Sequence, residues 1–254
     1  MIDVNTAAQQ VHRALLDNTT FPDTLSQQFT LEQSYDVQFK LLEHRIAAGE
    51  KHVGWKVGLT SKAMQEQQGV HEPCLGHLMA EGHLQNPAQL EFGALMSPGF
   101  ENELCLRLAK PLKGDVSFEE AHAAIDAIAP AIEIVEKRGV FAADLPLAFA
   151  GNAQQRAFIT GEFLRLTPDI DLSKVEVNVA VNGEHQETAC GAEVLGSPVN
   201  SVVWLAKKLS AAGRGLNPGD LIMSGSFTKQ YNIRQGDKIT ASFAGLGDVS
   251  VTVE

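Results

Sequence analysis

The chain has 254 residues, 44% of them hydrophobic, and carries 20 basic and 31 acidic side chains, for a formal net charge of −11. A chain of this length can bury a sizeable core in one large domain or two small ones. The acidic balance, without a stripe of Lys or Arg, disfavours a nucleic-acid or membrane partner and favours a small-molecule ligand.

The N-terminal residues 1–52 are predicted to form a helical cap. Thr30 and Gln33 have the spacing of a capping box, and Gly49 is predicted to end the helix that follows. An apolar stripe should bury one face of this helix against the rest of the chain. The stripe consists of Leu31, Tyr35, Leu42 and Ile46.

Residues 53–254 are predicted to form a β-rich core as one structural unit, because short apolar runs bounded by Gly, Pro and Asp begin at Val53. A second capping box at Ser117 predicts a helix through Ile128. Ser197-Pro198 and Gly213 mark the two ends of a third helix. The predicted fold class is therefore α+β, with a mixed or antiparallel sheet.

Strand signals dominate the C-terminal third of the chain. Valines alternate with polar or small residues over positions 175–181 and run into Asn182-Gly183, the strongest short-range signal of a β-hairpin. Further turn motifs precede or separate apolar strand patterns. They are Pro218-Gly219-Asp220, Gln235-Gly236-Asp237 and Gly245-Leu246-Gly247-Asp248.

Cysteine usage and the absence of targeting signals favour a cytoplasmic protein. Cys74, Cys105 and Cys190 form an odd count without CxxC spacing, which argues against a disulfide framework or a structural zinc site. Residues 1–17 lack a basic segment followed by an apolar core, so secretion is not expected. No run approaches about 18 apolar residues, the length that would predict a membrane span.

Two carboxylates lie two residues apart in an alternating run. Glu101 and Glu103 are predicted to project from one face of a half-buried strand, while the leucines at 104, 106 and 108 face the other way. Carboxylates at this spacing lie about 6.5 Å apart and repel by about 2.5 kcal/mol at an intermediate dielectric. A positive group between them would relieve that repulsion.

A third carboxylate, Glu133, interrupts the apolar stretch 129–135, where an unpaired charge is costly to bury. Together with Glu101 and Glu103 it predicts a site for a hard divalent cation, because oxygen ligands favour Mg²⁺, Mn²⁺ or Ca²⁺ over zinc. The alternative is that Glu101 and Glu103 lie on a solvated face and that Glu133 pairs with Arg or Lys.

Several short motifs follow one another along nearly the whole chain. They are Gly54-Trp55-Lys56-Val57-Gly58-Leu59-Thr60-Ser61, Glu101-Asn102-Glu103, Ala131-Ile132-Glu133, Leu195-Gly196-Ser197-Pro198 with Trp204-Leu205-Ala206, and Gly225-Ser226-Phe227-Thr228. In this order they resemble the 2-oxopent-4-enoate hydratase family of the fumarylacetoacetase superfamily. The family includes the 2-oxohept-4-ene-1,7-dioate hydratases and the 4-oxalocrotonate decarboxylases.

The resemblance implies a core of mixed strands in a sandwich-like β-roll of the fumarylacetoacetase C-terminal type, an N-terminal helical segment and homo-oligomerisation. It implies Mg²⁺ or Mn²⁺ held by Glu101, Glu103 and Glu133, and a substrate that is a small 2-hydroxy-2,4-dienoate or its 2-oxo tautomer from aromatic meta-cleavage catabolism. Lys56 matches the active-site lysine of the family, and its other interpretation is a solvated strand residue.

Further substrate contacts are expected at Leu59, Ser226, Thr228 and Lys229. Ser226 and Thr228 can bind substrate oxygens through hydroxyl or backbone N–H groups, although Ser and Thr beside Gly are common turn formers. Lys229 can bind a second substrate carboxylate or remain an exposed loop charge. The motif around Lys229 resembles the dicarboxylate hydratases more than the pentenoate ones.

The chain departs from the family pattern at two acidic positions. Cys74 stands where the hydratases have an aspartate that is thought to act with the lysine, and Gly151 stands where the family usually has another aspartate. A thiol has a much higher ordinary pKa than a carboxylic acid and is a poor base at neutral pH unless cations lower it. Candidates to replace the lost acid are Glu72, His71 and His77.

Four functions follow from these residues. The first is a metal-dependent hydratase, with Lys56, Glu72 and Cys74 as catalytic candidates. The second uses the same centre to decarboxylate a 2-oxo-3-enedioate. The third is an acylpyruvate hydrolase in which His71 and Glu72 activate water. The fourth is a non-catalytic subunit that binds a 2-oxo acid or a partner enzyme of the same pathway.

Overall fold

A computed structural model describes residues 3–139 and 143–254. The helices are α1 (Val4–Leu16), α2 (Leu31–Ala47), α3 (Lys62–Gln68), α4 (Phe118–Ala124), α5 (Leu145–Ala150) and α6 (Pro198–Ala211). The strands are β1 (His52–Gly58), β2 (Cys74–Met79), β3 (His83–Gln85), β4 (Ala88–Leu90), β5 (Pro98–Leu108), β6 (Ile125–Glu136), β7 (Gln155–Thr160), β8 (Leu164–Arg165), β9 (Glu176–Val181), β10 (Glu184–Cys190), β11 (Leu221–Met223), β12 (Tyr231–Asn232), β13 (Lys238–Phe243) and β14 (Gly247–Val253).

The strands form two sheets. The large sheet has the order β2-β1-β11-β5-β6-β7-β3, with β12 added to β5 and β8 added to β6. The small sheet has the order β10-β9-β13-β14-β4. Parallel pairs such as β1 with β11 occur beside antiparallel pairs such as β5 with β6. The predicted mixed α+β architecture is confirmed.

The main hydrophobic core lies between the two sheets. Leu104 and Leu106 of β5 and Ile132 of β6 contribute from the large sheet, and Val177 and Ile239 contribute from the small sheet. Burial of such branched side chains is worth about 1.5–3 kcal/mol each. This core fixes the inward face of β5 and β6, and alternation then sends their odd-numbered residues to the opposite face.

The opposite face of the large sheet is also buried, because the sheet rolls up on itself. The two ends of its strand order lie close together, because only Ala80–Gly82 separate β2, at one end, from β3, at the other. Leu78, Cys105 and Phe158 share a buried cluster inside this roll. The prediction of a half-buried β5 is therefore wrong, since a single strand's pattern does not reveal that its sheet closes.

Helices α1 and α2 pack with α5 in a separate apolar cluster. The capping box of Thr30 and Gln33 is confirmed. The predicted stripe is wrong at its ends, where Leu31 and Ile46 are 38% and 48% exposed. The buried face instead contains Ser34, Val37, Gln38, Leu41 and Leu42. The polar side chain of Gln38 can occupy this buried face because it donates hydrogen bonds to the backbone oxygens of Leu75 and Phe149, at 3.0 and 2.6 Å.

Several local predictions are confirmed and one helix end is wrong. The β9–β10 hairpin turns at Asn182 and Gly183, both with positive φ as a type I′ turn requires. Helix α4 begins with the Ser117 capping box but ends at Ala124, because Ile125 pairs with Leu108 and begins β6. The division into residues 1–52 and 53–254 stays a prediction.

None of the helices in the described ranges combines the length and apolarity that a membrane crossing needs. The three cysteines are free thiols, Cys74 and Cys105 buried and Cys190 partly buried.

Candidate metal centre

Three carboxylates converge inside the roll of the large sheet. Glu101 and Glu103 project from one face of β5, and Glu133 of β6 pairs directly with Glu101 in the antiparallel register. One oxygen atom from each of the three side chains lies within 4.8 Å of the others. This register brings together residues thirty positions apart in the chain and forms a compact set of oxygen ligands.

The cluster is strongly desolvated. Glu103 and Glu133 are fully buried and Glu101 is partly exposed. Burial raises the pKa of Glu133 to about 7 against the attraction of Lys56. The pKa of Glu103 is held well above its usual range, first by burial and then by the negative charges of Glu133 and Glu101. Burial also raises the pKa of Glu101.

These carboxylates fit a divalent cation. Both oxygens of Glu133 and Oε1 of Glu103 are buried without a hydrogen-bond partner among the described residues. Buried carboxylate oxygens are costly to leave unpaired, and hard cations accept such oxygen ligands. A bound cation would supply the missing partner for all three atoms.

Lys56 of β1 lies beside the cluster. Its side chain is buried, and Nζ is 3.4 Å from Oε1 of Glu133, an ion-pair distance without hydrogen-bond geometry. Burial opposes the lysine charge, but the attraction of Glu133 and the neighbouring acids outweighs it and raises the pKa of Lys56. Lys56 is therefore a charged buried group, and its interpretation as a solvated strand residue is wrong.

Glycines make room for the Lys56 side chain. A Cβ at Gly58 would lie 3.0 Å from Sγ of Cys74 and 3.5 Å from Nζ of Lys56. A Cβ at Gly76 would lie 3.1 Å from Cγ of Lys56. The glycines thus line a narrow space in which the ammonium group reaches the carboxylates.

Cys74 shares this face of the sheet. It pairs with Gly58, as Gly76 pairs with Lys56, so its thiol points into the roll. Burial raises the pKa of the Cys74 thiol to about 11 despite the attraction of Lys56. The thiol is therefore neutral at pH 7, where it can donate a proton but cannot act as a base.

The candidates proposed to replace the lost acid lie elsewhere. His77 pairs with Trp55 on the opposite face of the sheet, and burial, reinforced by Arg45, holds its pKa well below the usual range. His71 and Glu72 are exposed in the loop before β2, and Glu72 accepts a hydrogen bond from Lys208 Nζ at 2.5 Å. Among the described residues, no hydrogen bond or ion pair links Glu72 to the three carboxylates, and its catalytic role stays a prediction.

Gly225 is the residue of its loop that touches the centre. Its backbone N–H donates to Oε2 of Glu103 at 2.7 Å. Its φ is +109°, and a Cβ there would lie 2.4 Å from Cγ2 of Thr60. Only glycine fits this position without strain, so the loop can approach Glu103 closely.

The other loop candidates make contacts within the protein. Thr228 Oγ1 accepts a hydrogen bond from Asn102 at 2.7 Å, and Ser226 Oγ lies 3.5 Å from the Asn102 backbone oxygen. Lys229 is exposed, with Nζ 5.4 Å from the Tyr231 ring centre. Leu59 has a φ of 55° at the end of β1. Their roles in substrate binding stay predictions.

Two features of the centre were not found from the sequence. The first is the Gly225 N–H, although the Gly-Ser-Phe-Thr motif marked its loop. The second is Asn152, a buried residue whose side chain binds the backbone of β2. Beside Asn152, Gly151 stands where the family usually has an aspartate. It has no room for a side chain, because a Cβ there would lie 2.2 Å from Cζ of Phe21.

Known proteins resemble this chain over most of its length. The family described as fumarylacetoacetate (FAA) hydrolase C-terminal matches residues 78–254. The chain is 34% identical to the 4-oxalocrotonate decarboxylase of Pseudomonas sp. (strain CF600), covering 96% of this chain and 94% of that protein. It is 32% identical to the 2-keto-4-pentenoate hydratase of Paraburkholderia xenovorans (strain LB400), covering 98% and 94%.

A solved structure is similar over almost the whole fold. The 4-oxalocrotonate decarboxylase from Pseudomonas putida G7, complexed with magnesium and adipate, superposes with a TM-score of 0.94 at 32% identity, covering 99% of this chain and 97% of that chain. The same enzyme has also been solved with calcium and acetate, with a TM-score of 0.93 at 32% identity, covering 99% and 97%. Both solved structures thus contain a divalent cation, the class of ion that the three carboxylates of this chain fit.

Proposed function

Since the chain belongs to the fumarylacetoacetate hydrolase C-terminal family, we propose that it is a divalent-metal-dependent lyase of aromatic meta-cleavage catabolism. Its proposed reaction adds water to a 2-hydroxy-2,4-dienoate or its 2-oxo-4-enoate tautomer and gives a 4-hydroxy-2-oxo acid. The observation that carries the proposal is the buried trio of Glu101, Glu103 and Glu133 beside a charged Lys56. The hydratases among the relatives support it.

The proposed cofactor is Mg²⁺ or Mn²⁺, held by Glu101, Glu103 and Glu133. When bound, the cation would supply positive charge that attracts the substrate's carboxylate and stabilises the negative charge that develops on the 2-oxo oxygen. The chain holds its ligands in place beforehand: the Gly225 N–H fixes one oxygen of Glu103, and Lys56 lies against Glu133. Such preorganisation keeps the reorganisation needed during the reaction small.

Lys56 is proposed to bind and orient the substrate through its charge. An ammonium group in a site closed to water attracts a carboxylate more strongly than it would in solution. Because its pKa is raised, it does not serve as a base in this state. The neutral Cys74 thiol can donate a hydrogen bond or a proton to the substrate, and it cannot accept a proton from water at pH 7.

This last observation favours a second candidate, the decarboxylation of a 2-oxo-3-enedioate. Loss of carbon dioxide breaks a carbon–carbon bond and leaves its electron pair conjugated with the 2-oxo oxygen, so the bond-breaking step requires no base. Hydration, by contrast, needs a group that takes a proton from water, and neither Lys56 nor Cys74 is in the form to do so. The decarboxylases among the relatives support this reading as well.

The two reactions are separated by product analysis. We would incubate the protein and Mg²⁺ with 2-hydroxypenta-2,4-dienoate, with its seven-carbon dicarboxylate analogue and with 2-oxohex-3-enedioate, and follow each by proton NMR with an EDTA control. We expect a 4-hydroxy-2-oxo product only when metal is present. Glu103→Gln should abolish turnover, whereas the exposed Glu91→Gln serves as the matched control.

Other products would redirect the assignment. Carbon dioxide release from the enedioate without hydration of either dienoate would establish the decarboxylase instead. Cleavage of an acylpyruvate would point to hydrolysis. Metal and oxalate binding without turnover of any of these compounds would mean a non-catalytic binding subunit.

The quaternary state and location complete the proposal. We propose a homo-oligomer, able to associate with an enzyme of the same pathway, in the cytoplasm. Size-exclusion chromatography with light scattering on the purified chain would test the first part. A mass equal to one chain at micromolar concentration would contradict it.

A further inference from the structure

We propose that Asn152 is a positioning residue that closes the rolled sheet against β2 and thereby sets the place of the Lys56 ammonium group beside Glu133. The role of Lys56 in turnover rests on the proposed function, whereas the contact between Asn152 and β2 does not. Asn152 lies in the turn between α5 and β7 and is 1% exposed.

The Asn152 side chain acts as a short substitute for a neighbouring strand. Its Oδ1 accepts a hydrogen bond from the backbone N–H of His77 at 2.7 Å, and its Nδ2 donates to the backbone oxygen of His77 at 3.0 Å. Strand β2 lies at one end of the order of the large sheet, so one of its edges lacks a strand partner. Asn152 satisfies that edge at the point where the roll closes.

Asn152 and Lys56 both lie close to Gly76. Gly76 precedes His77 and pairs with Lys56 in the register of β1 and β2. A Cβ at Gly76 would lie 3.0 Å from both the backbone oxygen and Oδ1 of Asn152, and 3.1 Å from Cγ of Lys56. Asn152 and the Lys56 stem therefore border the same small space over Gly76, so we infer that a displacement of Asn152 would alter the place of Lys56.

The turn that presents Asn152 is strained. Asn152, Ala153 and Gln154 have φ angles of 70°, 48° and 65°, a run of non-glycine residues in the left-handed region. Such conformations persist only where the surrounding structure imposes them, and they cluster at functional sites. Phe21 packs on the preceding Gly151, where a Cβ would lie 2.2 Å from its ring. The fold thus holds the turn in a costly shape that keeps the amide on β2.

Two glycine substitutions distinguish the effect of the Asn152 side-chain amide from the effect of strain in the turn. Asn152→Gly removes both hydrogen bonds and relieves the left-handed strain at the same residue, whereas Ala153→Gly relieves strain next to it and keeps the amide. Asn152→Asp keeps the acceptor and the shape but loses the donor to His77. It serves as the second variant if Asn152→Gly does not fold.

The first measurement is independent of turnover. In protein labelled with carbon-13 at lysine Cε, assigned with Lys56→Arg, we expect Asn152→Gly to shift the Lys56 resonance while Ala153→Gly leaves it unchanged. An unchanged Lys56 resonance in a folded Asn152→Gly, or in a folded Asn152→Asp if only that variant folds, would overturn the proposal.

The second measurement uses the reaction identified for the wild-type protein. We expect Asn152→Gly to lower kcat at least tenfold, with Mg²⁺ affinity within threefold of the wild type, because the carboxylates lie on other strands. Ala153→Gly should stay within twofold. Equal losses in both variants would assign the turn a purely structural role and contradict the proposal. A shifted Lys56 resonance in a protein that turns over none of the substrates would contradict the proposed function alone.

Discussion

Replacing Glu133 by glutamine should make the metal-free protein more stable, not less. The pKa of this carboxyl is about 7 in the folded chain, against an ordinary value of 4.5. The folded state therefore holds a proton that the unfolded state loses, and stability falls as the pH rises from 4.5 to about 7. A difference of about 2.5 units corresponds to about 3 kcal/mol at pH 8. Glutamine resembles the neutral acid and should remove this penalty.

The same substitution should remove the stabilisation by cations. Mg²⁺ at about 100 times its Kd should stabilise the wild type by about 2.7 kcal/mol, which raises Tm by about 5–10 °C for a chain of this size. Glu133→Gln loses one of the three ligands and should show little shift. Urea unfolding at pH 4.5 and pH 8, with Mg²⁺ or with EDTA, measures both effects.

Two results would refute this reasoning. One is a metal-free Glu133→Gln protein that is less stable than the wild type at pH 8. The other is a Mg²⁺-dependent rise in the free energy of unfolding of the same size in both proteins. Glu91→Gln, at an exposed position, is the matched control and should change neither quantity by more than about 0.5 kcal/mol.

Three further substitutions test the roles assigned to Cys74, Gly225 and His52. Cys74→Asp should raise the hydration rate measured by proton NMR, because it places a carboxylate beside Lys56. If the folded variant shows no gain, residue 74 has no role in proton transfer. Gly225→Ala should weaken Mg²⁺ binding, measured by calorimetry, at least tenfold. The new Cβ would lie 2.4 Å from Cγ2 of Thr60, so the loop must move and its N–H would lose the hydrogen bond to Glu103. Unchanged affinity would show that this hydrogen bond is dispensable. Burial, the largest cause, lowers the pKa of His52 to about 4 from 6.5, so stability should fall by about 3 kcal/mol as the pH drops from 6.5 to 4. His52→Phe should remove that slope in urea unfolding, and an equal slope in both proteins would show that other groups cause it.

The sequence predicted what depends on local pattern. The capping boxes at Thr30 and Ser117 and the turn at Asn182-Gly183 are set by residues within four positions of one another, and the structure contains all three. The family predicted from the ordered motifs is confirmed as well. Alternation alone placed Glu101 and Glu103 on one face of a strand.

What the sequence did not predict depends on distant contacts. The meeting of Glu101 with Glu133 requires the β5–β6 register, which apolar alternation leaves free to shift by two residues. The burial of Glu103 requires the closure of the large sheet. The space that a side chain at position 151 would need is filled by Phe21, which is 130 positions away and lies in a segment without a clear helix or strand pattern. Each of these follows from packing that a linear pattern does not encode.

Strand β5 also determines which changes of chain length the protein can tolerate. Its leucines face the core between the sheets while Glu101 and Glu103 face the interior of the roll. Insertion or deletion of one residue within β5 would exchange the two sets, placing carboxylates against leucine and valine and leucines among the remaining acids. The turn at Lys113 and Gly114, in which Lys113 is exposed and Gly114 is partly buried, lies only a few residues later and carries no such constraint. Natural variation in length among proteins of this type should therefore fall in such turns, with the segment from Pro98 to Leu108 constant in length.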